Sequence, residues 1–223
     1  MTPATSQGFA GRTLSDIAAS LPGATAVFRA RKMDFCCGGG VPLAEAAAAR
    51  GLDLAELETE LAALDGSGAP ADADLSSEAL IGRILERYHA AHRRELPELT
   101  RLARRVEAVH RANADVPAGL ADLLEEMDVE MSSHMMKEER ILFPMLLAGR
   151  GDMAGGPISV MRHEHDDHGD RLGRILALTQ DATPPEGACT TWRALYAGIR
   201  KFAEDLTEHV HLENNVLFPR FAG

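Results

Sequence analysis

Aromatic side chains are scarce, at 4% of the 223 residues, which leaves little material for the core of a β-sandwich or barrel. Ala, Leu, Glu and Arg dominate instead, a mixture that favours helix, so the expected fold class is all-α. Basic residues are also in deficit. With 23 Lys and Arg against 34 Asp and Glu, the formal charge of -11 repels phosphate backbones and attracts metal cations. No nucleic-acid partner is expected. The three cysteines cannot all pair within one chain, which suits a reducing compartment better than a disulfide scaffold. Long hydrophobic runs are missing too. No segment offers the roughly 18 uninterrupted apolar residues of a membrane span, and Met1–Arg12 lacks an apolar stretch of signal-peptide length. The expectation is a cytoplasmic protein with no membrane partner.

What is present divides the chain into three parts. Residues 8–64 contain short helical runs broken by Pro22-Gly23 and by the glycines after Cys37, and read as a small helical domain. Residues 65–75 are rich in Gly, Pro, Ala and Asp without periodicity, which marks a linker. Residues 76–223 carry four long helical patterns at about 77–111, 117–148, 157–180 and 188–217. Short connections between long helices imply antiparallel neighbours, hence an up-down-up-down four-helix bundle. Pro97 falls inside the first pattern and is expected to kink it, because it removes a backbone donor.

An internal repeat carries the chemistry. His134-Met-Met-Lys-Glu138-Glu-Arg-Ile-Leu142-Phe143-Pro144 and His209-Val-His-Leu-Glu213-Asn-Asn-Val-Leu217-Phe218-Pro219 share His, Glu, Leu, Phe and Pro at the same offsets, 75 positions apart. Upstream of each lies a His-x-x-His, His89 with His92 and His165 with His168, 76 positions apart. A step of four residues turns a helix by about 400°, so each His-x-x-x-Glu pair shares one face. If the halves pack about a pseudo-twofold axis, Glu138 and Glu213 meet in the interior and bridge two ions, with histidines as terminal ligands. A single such pair is ordinarily a solvated helix-surface contact; two in register, each followed by Leu-Phe-Pro, are not. The Leu-Phe pairs read as core and the prolines as helix stops. Imidazole with carboxylate suits iron, and also zinc or manganese, while the absence of cysteine from these motifs disfavours structural zinc or an iron-sulfur cluster. From spacing alone, His92 and His168 compete with His89 and His165. His163 and His211 point away from any ion bound by their neighbours, and His110 lies near a helix end.

These residues, together with Met33-Asp-Phe-Cys-Cys-Gly-Gly39 and the terminal Leu212-Glu-Asn-Asn-Val-Leu-Phe-Pro-Arg220, resemble the hemerythrin-like iron-sulfur cluster repair proteins, the Ric family or YtfE/ScdA type, over nearly the whole chain. The resemblance implies a hemerythrin-like bundle preceded by a Cys-Cys domain. It implies metal ligands at His89, His134, Glu138, His165, His209 and Glu213, taking the first histidine of each His-x-x-His. The implied cofactor is two non-haem irons joined by both glutamates and an oxo or hydroxo group. The implied function is repair of iron-sulfur clusters damaged by nitrosative or oxidative stress, through iron donation, through binding and processing of nitric oxide, or both, with nitric oxide reductase-like turnover as one form. Its partners would be damaged or apo iron-sulfur proteins, with nitric oxide or O2 as small ligand. Two other readings compete: a hemerythrin-like O2 or NO sensor or carrier without turnover, and a structural bundle loaded with zinc or manganese.

Cys36 and Cys37 have Cα atoms about 3.8 Å apart across a trans peptide, shorter than a disulfide prefers, so a mutual disulfide would be strained. Followed by three glycines, they read as exposed thiols able to take iron, exchange disulfides or accept a nitrosyl group; the plainer alternative is two small buried side chains at a turn. An exposed Cys-Cys segment in need of cover is also an argument for a homodimer. Glu130, one turn before His134, and Glu164, next to His165, are candidates for carboxylates behind the ligands that steer protons or iron. Cys189 reads as structural, with Trp192 packed near the start of the last helix.

Overall fold

The computed structural model describes residues 8–64 and 74–221, so the expected linker at 65–75 lies, apart from its last two positions, outside the described residues. Among the described residues the chain is helical, with a single isolated bridge between Thr13 and Pro42. No helix there is long and apolar enough to cross a membrane. The residues fall into two compact units, one holding the N-terminal part up to Ser76 together with Val210–Pro219, the other Ser77–His209 with the final residues from Arg220.

In the first unit, α1 (Leu14–Ser20), α2 (Ala24–Ala30), α3 (Leu43–Ala49) and α4 (Leu54–Ala62) are each only about two turns long. Helices this short do not hold in water by themselves, so packing must hold them. Leu14, Ile17, Phe28, Phe35, Leu43 and Leu61 form the shared core. Side chains fix two of the starts: Thr13 Oγ1 accepts from the Asp16 amide at 3.2 Å, and Asp53 Oδ1 from the Ala55 and Glu56 amides at 2.8 and 3.2 Å.

The second unit carries the up-down-up-down bundle as far as His209, the last helix continuing from there into residues grouped with the first unit. The bundle's first helix comprises α5 (Ser77–Arg83), a wide π-type turn Ile84–His89, and α6 (Ala90–Val109). Next come α7 (Leu120–Lys137), a second wide turn Glu138–Leu142, and α8 (Phe143–Leu147). Then follow α9 (Gly155–Leu178) and α10 (Thr190–His211), the latter running into a third wide turn, Leu212–Leu217. The seam of α7 runs Leu120, Leu124, Met127, Met131, His134 and on to Glu138; that of α10 runs Leu195, Ile199, Phe202, Leu206, His209 and on to Glu213. All twelve are buried, and both seams advance by the same steps of four and three. The ligand candidates therefore occupy core positions of the helix pattern.

The helical proline positions depart from expectation in an instructive way. Helix α6 runs through Pro97, and the departure from α geometry lies upstream, at Ile84–His89. Pro144 does not stop its helix. The Phe143 amide reaches back five residues to the Glu138 carbonyl, and Phe218 does the same to Glu213. Widening the turn just before each proline relieves the clash its ring would make with the carbonyl four residues back, so the chain continues as α8 in one case and as a short 3-10 turn, Phe218–Arg220, in the other.

An ion pair built on a buried carboxylate joins the first and last helices of the bundle. Arg87 forks onto Asp205 at 2.7 and 3.0 Å, and Lys201 adds a third contact at 2.7 Å. Burial alone would raise the Asp205 pKa; Arg87 and Lys201 outweigh it and hold the carboxyl below its ordinary value. A carboxyl lowered on folding contributes stability above its unfolded pKa, and that contribution disappears as pH falls through the folded value. Arg87→Ala is expected to cost roughly 1–2 kcal/mol at neutral pH, the half-exposed guanidinium being partly screened. Chemical denaturation from pH 7 to below pH 4 checks this: the difference between variant and parent should shrink as Asp205 protonates.

Candidate metal centre

Six side chains from four helices meet in the interior: His89, His134, Glu138, His165, His209 and Glu213. Each is no more than 1% exposed. They form two groups whose donor atoms lie within 4.8 Å of one another: His89, Glu138, His209 and Glu213 in one, and His134, Glu138, His165 and Glu213 in the other. Both glutamates belong to both groups. The Nε2 atoms of His89 and His209 are 3.1 Å apart, as are those of His165 and His134. At the ~2.0–2.1 Å of an imidazole–metal bond, such a pair can grip one ion from adjacent corners. Glu138 Oε2 stands between the groups, 3.3 Å from His89 Nε2 and 3.4 Å from His134 Nε2.

Burying two carboxylates among four imidazoles is costly unless positive charge accompanies them. A pair of divalent ions supplies four positive charges against two negative ones, and both the donor chemistry and the doubled, carboxylate-sharing layout fit a non-haem di-iron site.

The outer nitrogens of two ligands are braced by carboxylates. His134 Nδ1 meets Glu164 Oε2 at 2.9 Å, and Lys137 pairs with the other oxygen of that carboxylate. The His134 contact first, then Lys137, prevail over burial and hold Glu164 down at about 2. On the other side His89 Nδ1 meets Glu139 Oε1 at 2.7 Å, and Arg93 donates to the same oxygen at 2.7 Å. Glu139 escaped sequence reasoning, although a signal existed. Like Glu164, it directly adjoins a ligand in sequence and braces a histidine on the neighbouring helix.

Glu130 is placed elsewhere. Arg171 engages it through Nε at 2.9 Å and also reaches Glu126; among the described contacts Glu130 makes none with a candidate ligand, and its side chain is 40% exposed. Loss of a carboxylate behind a metal-bound histidine typically weakens metal affinity about 10–100-fold. Glu164→Ala and Glu139→Ala are each expected to do so, and Glu130→Ala to leave affinity unchanged, measured by competition with a chelator.

His92 and His168, the second members of the His-x-x-His pairs, are buried but belong to neither group. Their rings back the ligands, His168 against His134 at 4.9 Å and His92 against His209 at 5.4 Å. Burial first, then the nearby His134 and His165 rings, push His168 down to about 3, which leaves it neutral. His163 is exposed. His211 is buried, edge-on to Phe35 at 5.3 Å with Asn215 Nδ2 at 3.1 Å from its Nδ1. His110 packs on Trp192 at 5.0 Å, and its Nε2 lies 3.2 Å from the Cys189 thiol, a pairing its position at a helix end did not suggest.

Cys36 and Cys37 lie between α2 and α3, half-buried and exposed respectively, and neither is in a disulfide. The adjacent Cys37 thiol first, then burial and the Asp34 carboxylate, keep the Cys36 proton on and raise its pKa.

A family model described as the hemerythrin HHE cation binding domain matches residues 80–221, and the ScdA_N model, a domain of unknown function (DUF542), matches residues 10–65. The chain is 52% identical over 213 residues to the iron-sulfur cluster repair protein YtfE of Dickeya chrysanthemi, covering 94% of this chain and 96% of the relative. It is 51% identical over 220 residues to the protein of that name from Edwardsiella ictaluri, covering 95% and 97%. A probable iron-sulfur cluster repair protein of Haemophilus influenzae is 48% identical over 216 residues, again covering 95% and 97%.

Proposed function

The chain belongs to the YtfE family of iron-sulfur cluster repair proteins, built on a hemerythrin HHE domain, and from that premise we propose that it is a cytoplasmic di-iron protein that returns damaged iron-sulfur clusters to working order. The observation that carries this reading is the sharing of Glu138 and Glu213 by both histidine groups, the layout a coupled ion pair requires.

In this reading His89 and His209, with Glu138 and Glu213, would hold one iron, and His134 and His165, with the same two carboxylates, would hold the other. Bound iron would supply redox and Lewis-acid chemistry and an exchangeable ion. The chain's own residues set the conditions. Glu139 and Glu164 hold the His89 and His134 imidazoles in the tautomer that aims Nε2 inward. His92 backs the ring of His209 and His168 that of His134, and the apolar seams exclude bulk water. With two histidines and two shared carboxylates as the only protein ligands for each ion, the pair would be open to a small ligand such as nitric oxide or O2, or to an incoming group that removes an iron.

Iron-loaded protein mixed with a nitrosylated iron-sulfur enzyme is expected to restore that enzyme's activity while its own iron content falls or an iron-nitrosyl spectrum appears. Full iron content with no restored activity would sink the repair reading, and nitric oxide binding alone would leave the sensor or carrier in its place.

A further inference from the structure

The loop between α2 and α3 is built more tightly than an exposed thiol pair needs. Asp34 Oδ1 accepts the backbone amides of Cys36 at 3.2 Å and Cys37 at 3.0 Å, folding the chain so that carboxylate and thiols face one another. Cys36 Sγ lies 3.4 Å from that oxygen and 3.8 Å from Cys37 Sγ, and one donor atom from each of the three residues lies within 4.8 Å of the other two. Two glycines make room. A Cβ at Gly38 would come within 2.9 Å of Asp34 Oδ2, and one at Gly39 within 2.4 Å of the Phe35 carbonyl. Within the same unit, Asn215 Nδ2 donates to the Phe35 and Cys36 carbonyls at 3.0 Å each, pinning the backbone of the loop.

These separations have a meaning in coordination chemistry. Two sulfurs on one tetrahedral ion, each bonded at about 2.3 Å, stand about 3.8 Å apart; a sulfur and a carboxylate oxygen bonded at about 2.0–2.1 Å stand about 3.5 Å apart. The loop holds both spacings.

We propose that Asp34, Cys36 and Cys37 form a second, mononuclear cation site with two sulfurs and one oxygen, selective for a borderline-soft divalent ion of the zinc or ferrous class. The donor set differs in kind from the imidazole–carboxylate centre of the bundle, so the two sites discriminate ions differently. As the ion binds, two sulfur–metal bonds form and the two thiol protons leave to solvent; no electron is transferred. The bound cation supplies the positive charge that stabilises two adjacent thiolates. Three protein donors on a four-coordinate ion leave one corner facing solvent, open to water or to a ligand atom from another molecule.

Cobalt(II) is the probe, added to the full-length, iron-loaded protein carrying Cys189→Ser. One equivalent is expected to produce the near-ultraviolet charge-transfer absorption of cobalt thiolate, which histidine and carboxylate ligands do not give. Cys36→Ser with Cys37→Ser should abolish both the band and that equivalent. Asp34→Asn, and Gly38→Ala through displacement of the carboxylate, should keep the band and weaken binding by at least about 10-fold. No thiolate band, a band that survives the double serine variant, or unaltered affinity in Asp34→Asn overturns the proposal. Should the double variant fail to fold by circular dichroism, Asp34→Asn and Gly38→Ala still decide, since both retain the thiols. Iron content is recorded throughout, which keeps failure here distinct from failure of the di-iron reading.

Discussion

Glu138→Ala is expected to strip both metal positions at once. Glu138 is the donor standing 3.3 and 3.4 Å from histidines of the two groups, and it belongs to both. Outer carboxylates behind a ligand are worth about 10–100-fold in affinity; a shared ligand should exceed that at each position, so iron per chain should drop to near zero. His165→Ala makes the contrast. It removes a donor from one group only, and one position should remain loaded at reduced affinity. Metal analysis with Mössbauer spectroscopy separates the outcomes: no iron for Glu138→Ala, uncoupled single iron for His165→Ala. Equal, near-full loading of both variants would contradict the bridging role of Glu138. Helicity by circular dichroism should survive in each, because the apolar seams above the centre are untouched.

Phe202→Ala should produce the largest loss of stability without touching a ligand. Phe202 is fully buried on the α10 seam and meets the ring of His92 edge-on at 5.4 Å. Truncation of a buried phenylalanine costs about 3–5 kcal/mol, part of it for the cavity left behind. For a chain of this size that corresponds to a fall of roughly 6–20 °C in Tm, measured on metal-free protein so that ion binding does not mask it. His92 borders the new cavity and backs His209. The variant should therefore also hold the iron beside His209 less firmly, while retaining a far larger share of iron than Glu138→Ala.

Much of the bundle was legible because its seams speak through spacing. The four-and-three steps of α7 and α10 carry apolar residues down to His134 and His209, and a polar residue on such a seam is buried by its neighbours' pattern rather than by its own chemistry. The repeat then brings Glu138 and Glu213 to matching depths. What spacing does not encode is the choice between His89 and His92, or between His165 and His168. Three residues along a helix turn only about 300°, so both members stay near the same face, and the family resemblance favoured the first. The structure puts the first members among the donor atoms and the second members behind them.

The partners of the ligands were harder to read. Glu130 has the right helical register with respect to His134 but is drawn to Arg171 across the surface. Glu139 has no register argument in its favour, yet it reaches His89 on a neighbouring helix. Such contacts depend on helix rotation and separation, which single-chain periodicity leaves open. The wide turns at Glu138 and Leu212 were likewise hidden, although each lies just ahead of a Phe-Pro, at Phe143-Pro144 and Phe218-Pro219. A proline read as a terminator was, at Pro144, the cause of a local change of pitch inside a continuing helix. In the first domain, the importance of Asp34 was masked by the more conspicuous cysteines two and three residues later.

The pairing of ligands across the repeat has a consequence for how such a chain can be assembled. His89 comes from the first two-helix hairpin and its companion His209 from the second; His134 and His165 are divided in the same way. Neither hairpin owns a complete set, yet each owns what the other lacks. A single hairpin facing its own twin would thus enclose the same kinds of donor, four imidazoles and two carboxylates, and cutting the connection at 148–154 would separate two fragments that each find their missing half in the other.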